Sequence, residues 1–139
     1  MKHTVHYPNG RLNIHMKITE NSKKRLYNTF EIWNVDDEFA TTMFNYLVHG
    51  LEPGSCFTAI LANDFFHAIK SSHPANTVNS LAKLANWITN IAPKESYGSY
   101  DAVRYWTMLD ADARRFILEE HELVYTEQEE VLLILQGKL

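Results

Sequence analysis

Any chemistry in this chain has to begin at its cysteine, its histidines and one misplaced carboxylate. Read as a single helix over 56–71, the sequence puts Phe57, Ile60, Leu61, Phe65 and Ala68 on one face, and Asp64 falls within that face. A carboxylate among apolar neighbours is costly unless it is paired or fed by N–H donors. Asp64 is therefore read as a cap or ion-pair partner that ties elements together. The functional alternative is a tuned acid in a cleft, and a rotated helix would simply leave it in water. Cys56 stands at the expected start of the same helix, where the dipole lowers a thiol pKa, with His49 and His67 as candidate bases. A lone cysteine beside apolar residues is more often a small core side chain. Ser55 and Ser99, as helix starts, can offer backbone N–H groups to an anion. Tyr97, Tyr100, Tyr105 and Trp106 offer rings on which a base can stack. Ser55, Asp64, Tyr97, Ser99 and Arg104 form the candidate ligand-binding set, for a ligand such as a nucleotide.

No catalytic constellation emerges beyond these, and no cofactor is expected. Phosphate-loop and dinucleotide-binding patterns are absent. His121 and Glu122 do not make the two-histidine helical motif of metalloproteases, and His3 and His6 would lie on opposite faces of a strand, so no metal site is expected. The single Cys56 excludes an internal disulfide and a multi-cysteine zinc site.

The elements that would position these residues read as one α+β domain over 1–139. With 45% apolar residues the chain can bury a core without staples. Alternation in 11–18, a Pro8-Asn9-Gly10 turn and the strand-forming run 26–33 predict a three-stranded antiparallel sheet, a β-meander over 1–34. Four or five helices over 35–139 would cover it. Asn34 would cap the first, Gly50 would end it, and Pro74 would open another running to Ile91. Ser99, Asp110 and a Thr126/Glu129 capping box mark later helix starts. Residues 127–136 are read as helix, with strand as the alternative. This tail is apolar all round, so burial inside the domain or against another chain, as in a homo-oligomer, is expected.

Charge and hydropathy limit the partners. Residues 1–35 carry six Lys/Arg against two Asp/Glu, and 36–139 carry seven against fifteen. The basic turn Lys23-Lys24-Arg25 is too small a footprint for duplex nucleic acid. No apolar run approaches the roughly 18 residues of a membrane span, and the N-terminus lacks a signal-peptide core. A cytoplasmic protein with no membrane partner is expected. On the helix over 75–91, Asn79, Lys83, Asn86 and Asn90 share the polar side, a candidate partner-binding face. Acidic residues near the C-terminal end, Glu119 and Glu122 foremost, form a second.

Over 44–106 the chain resembles a group of small bacteriophage proteins of uncharacterised role. The resemblance rests on Gly50-Leu51-Glu52-Pro53-Gly54-Ser55-Cys56-Phe57, on Ala59-Ile60-Leu61-Ala62-Asn63-Asp64, and on Trp87, Gly98-Ser99, Val103 and Trp106. It implies a non-enzymatic accessory protein that binds and inhibits a host component, for instance a CRISPR or restriction defence, in the host cytoplasm. Sequestration of a nucleotide signal is the alternative, and a small hydrolase the third.

Overall fold

The computed structural model describes residues 17–73 and 76–139. The described residues form eight α-helices and no strand. These are α1 (Glu20–Ile32), α2 (Asp37–His49), α3 (Ser55–Leu61), α4 (Phe65–Ser71), α5 (Val78–Ile91), α6 (Tyr100–Met108), α7 (Ala111–Glu120) and α8 (Glu127–Leu135), with a 3-10 turn at Lys94–Ser96.

The α+β expectation is overturned at 26–33, where the third strand of the sheet was placed and α1 stands instead. The run is rich in strand formers, but its apolar residues do not alternate. Leu26, Tyr27, Phe30 and Trp33 recur at helical spacing, and Ser22, Leu26 and Phe30 are the residues α1 buries. Period outweighs propensity once a core is available to receive that face. The expected turn at 20–23 is the first turn of α1, capped where the Ser22 N–H donates to Thr19 Oγ1 at 3.2 Å. The strand expected at 2–7 and most of that at 11–18 lie outside the described residues. Lys17 and Ile18 themselves are in no regular element. Among the described residues of 35–139 the α-helices number seven rather than four or five, and α1 adds an eighth before them.

The core is centred on α2, which buries Ala40, Met43, Phe44, Tyr46, Leu47 and Val48. Trp87 of α5 and Trp106 of α6 are fully buried beside it. Each large ring with a polar atom finds a partner for it, which makes full burial tolerable. Trp106 Nε1 donates to the Tyr46 carbonyl at 3.0 Å, and the Tyr46 hydroxyl donates to the Ser96 carbonyl at 2.7 Å. Trp87 Nε1 donates to Thr29 Oγ1 at 2.9 Å, a bond that requires Thr29 to face inward from a helix.

Arg114, only 1% exposed, joins two helix ends. Its Nε donates to the Val48 carbonyl at 3.0 Å, near the end of α2. Another guanidinium nitrogen donates to the carbonyl of Leu109, the residue that ends α6. Burial pushes the guanidinium pKa down to about 10, with Asp110 opposing the shift, so the group remains charged at neutral pH. Gly50 is what lets it in. Gly50 ends α2 in the left-handed region (φ 66°), and a Cβ there would stand 2.6 Å from a guanidinium nitrogen.

Several helix ends share this left-handed device, occupied by Asn34, Asn63, Glu122 and Gly137. Asn34 thus closes α1 and does not cap α2, whose N-cap residue is Asp36. After α1 the Val35 N–H reaches back to the Phe30 carbonyl, and after α7 the Leu123 N–H reaches the Leu118 carbonyl, both at 2.9 Å. In each pair the two side chains also sit in the core, the usual apolar companion of this helix ending.

The two left-handed sites should respond oppositely to substitution. Gly50→Ala should lower stability by about 1–3 kcal/mol, from left-handed strain and displacement of Arg114. Glu122→Gly should relieve strain and raise stability by up to about 1 kcal/mol. Urea unfolding with an unchanged slope and shifted midpoints checks both.

Candidate functional site: the α3–α4 cleft

The helix expected over 56–71 is two helices. After Leu61 the chain takes one left-handed step at Asn63 (φ 63°), and the Asp64 N–H turns back to the Ala59 carbonyl at 2.8 Å. Asparagine tolerates that step better than other non-glycine residues. Asp64 then starts α4, its Oδ1 accepting the His67 N–H at 3.3 Å. Its Oδ2 accepts the Tyr100 hydroxyl at 2.6 Å, and nearby the Gly98 N–H donates to the Leu61 carbonyl at 2.8 Å. Asp64 is thus half-buried and caps its own helix, where a neighbouring helix or turn or an arginine was the expected partner, and its bond to Tyr100 ties the α3–α4 turn to α6.

The Tyr100 bond, aided by the His67 N–H, holds the Asp64 carboxyl below its ordinary range against some desolvation. The same bond raises the Tyr100 phenol.

Asp64 and Tyr97 line a cavity of about 280 Å³ whose other walls are mostly apolar, including Ile60, Phe65, Ala85 and Ile88. Beside it α4 is turned outward. Ala68 is the one residue this helix buries, while Phe65 is 56% and Phe66 92% exposed, with Ile69 also exposed. Phe65 thus both lines the pocket and stands exposed beside Phe66.

The five residues of the expected ligand set do not converge. Ser55 lines a separate cavity of about 650 Å³ with Glu38, Thr42, Cys56, His73 and Asn76. Ser99 caps α6 through the Ala102 N–H at 3.0 Å. Arg104 is exposed and pairs with Asp101 at 2.8 Å. Among the described residues no lysine or arginine lines either cavity, and each has a carboxylate in its wall, Asp64 in one and Glu38 in the other. Phosphate would meet like charge in both. Cys56 is half-buried, and the histidine that shares its cavity is His73, rather than His49 or His67. His49 packs edge-on against Phe44, and the His67 ring lies 3.3 Å from Ser71 Oγ.

The expected partner faces fare differently. On α5, Asn79, Asn86 and Asn90 are exposed, though the Asn90 amide donates to the Asn86 carbonyl at 2.8 Å. Lys83 is half-buried beside a shallow depression with Glu31, Asp36 and Asp37. Glu119 is half-buried and its carboxyl is pushed up by desolvation, while Glu122 is exposed in its left-handed position. Glu130 is buried, accepting from Thr19 Oγ1 at 2.8 Å and Asn21 Nδ2 at 2.9 Å. Lys23 and Arg25 of the basic turn lie over Phe44 and Tyr125. Sequence reasoning missed Phe66, having assigned Phe65 to a buried face and left Phe66 out. A helix break signalled by Asn63-Asp64 would have exposed both.

Among the described residues no cluster of three or more histidine, cysteine or acidic side chains is placed to hold a metal, and no helix is long and apolar enough to cross a membrane. No protein-family model, curated protein or solved structure matches the chain.

The Asp64–Tyr100 bond sets a pH window. A carboxyl whose pKa is lowered in the folded state contributes stability above its ordinary value of 3.8, and loses it as pH falls through the folded value. A phenol with a raised pKa contributes below its ordinary value of 10.0, and loses it as pH rises through its own folded value. Tyr100→Phe should move the Asp64 titration midpoint upward, as followed by carboxyl carbon NMR. An unmoved midpoint would remove the bond from the account.

Proposed function

We propose that this chain is a non-catalytic binding protein that docks on a protein partner through the α3–α4 cleft. The exposed Phe65, Phe66 and Ile69 beside the apolar cavity carry the reading. Keeping such side chains in water is unfavourable by roughly 1.5–3 kcal/mol for a large apolar group. A partner that covers Phe66 and inserts an apolar side chain between Ile60, Phe65 and Tyr97 recovers that free energy. The resemblance to small phage proteins supports a host component as the partner, such as a defence complex, and inhibition by occlusion as the outcome. Occlusion requires a surface and no reacting group. A second reading, in which Glu119, Glu120, Glu122, Glu127, Glu129 and Glu130 compete for a basic nucleic-acid-binding surface, has less support, because the carboxylates of Glu129 and Glu130 accept hydrogen bonds within the fold and Glu119 is half-buried. Sequestration of a nucleotide has less support for the reason of charge given above.

The test is capture of the partner from host cells by tagged wild-type protein and by Phe66→Ser, with the captured protein then purified and titrated by calorimetry. Phe66→Ser should weaken binding by at least about tenfold, the scale of an interface hot spot. Asn90→Asp on α5 should leave it intact. Equal affinity of wild type and Phe66→Ser would move the site away from the cleft.

A further inference from the structure

α8 is held in a way that leaves four of its five apolar residues exposed. A capping box starts it: the Glu129 N–H donates to Thr126 Oγ1 at 3.1 Å, and the Thr126 N–H to Glu129 Oε1 at 3.3 Å. Polar contacts then fasten this first turn to α1. Glu130 accepts from Thr19 and Asn21, Arg25 lies 3.6 Å from Glu129, and the Tyr125 N–H donates to Ser22 Oγ at 2.9 Å. Beyond that turn come five consecutive apolar residues, Val131 to Leu135, and none belongs to the core. Leu132 is 57% and Leu135 78% exposed, with Val131 and Ile134 also exposed. A nine-residue helix is marginal in isolation, and of its apolar residues here only Leu133 is even half-buried.

We infer that the exposed face of α8 pairs with α8 of a second copy of this chain, antiparallel about a two-fold axis near Leu132 and Leu135. The charge pattern along the helix selects that partner and orientation. Of its first-turn acids Glu129 and Glu130 are engaged with α1 and Glu127 is exposed, its middle is uncharged, and Lys138 follows the left-handed Gly137. Antiparallel pairing sets the leucines of the two copies against each other and brings Lys138 of each copy to Glu127 of the other. The two helix dipoles then oppose. Parallel pairing would instead align acidic turn with acidic turn. The relation is self-complementary, as a two-fold interface must be. It involves no residue of the α3–α4 cleft, so it stands or falls separately from partner capture through Phe66.

Sedimentation of the full chain over a concentration series tests the pairing. Wild type should be a dimer, and Leu132→Gln with Leu135→Gln should weaken it by about a hundredfold with an unchanged far-UV circular dichroism spectrum. Glu127→Lys alone and Lys138→Glu alone should each weaken it several-fold, and the two together should restore it. A monomeric wild type at millimolar concentration would overturn the inference, as would a dimer indifferent to the glutamine changes. Failure of the charge exchange to restore association would overturn the antiparallel arrangement.

Discussion

A buried guanidinium holds the middle of this fold together. Helices end with carbonyls that have no partner inside the helix, and α2 and α6 end close together in the protein interior. Arg114 donates to a carbonyl at each end, and its positive charge lies where the helix dipoles are negative. Burying such a charge is costly, as the lowered pKa records. Charge-assisted hydrogen bonds offset that cost only if the guanidinium can reach both carbonyls. Gly50 supplies the space and the left-handed turn together, so two residues distant in sequence act as one joint.

Around that joint the aromatic side chains connect the remaining helices. Tyr46 receives the indole N–H of Trp106 and passes a hydroxyl bond to the turn before α6. Trp87 does the same from α5 to α1 through Thr29. With these bonds made, α2 can be buried over most of its surface. The consequence appears at the periphery. α4 buries one alanine, and the apolar middle of α8 reaches no part of the core. The centre is closely packed, and apolar side chains are left exposed at two separate places, aromatic residues beside a pocket at one and an aliphatic helix at the other.

Helix boundaries show how much of this was legible beforehand. Ser99, Asp110 and Thr126 cap α6, α7 and α8 as their side chains dictate, because capping is local and needs only the next turn of chain. Gly50 was legible as an ending for the same reason. Asn34 and Asn63 were ambiguous, since asparagine serves both as a cap before a helix and as a left-handed residue after one. Glu122 was not legible, because nothing in its chemistry favours a left-handed backbone. The sheet expected near the N-terminus came from weighting β-forming side chains above their spacing in 26–33.

The sequence alone determined where carboxylates and hydroxyls can start helices, where glycine can stop one, and that Val131 to Leu135 form an unbroken apolar run. Those properties depend on neighbours within about one turn. Only the tertiary structure decided that residues 26–33 are helical, that Asp64 is shared between its own helix and Tyr100, that Phe66 faces water, and that Arg114 belongs inside. Arg114 occupies a helical position one turn before the buried Leu118, so its inward direction could be read. Its acceptance there could not, because the two carbonyls that satisfy it lie on Val48 and Leu109 and converge only when α2, α6 and α7 pack. Burial of a charge depends on partners supplied by the folded chain, and spacing along one helix carries no record of them.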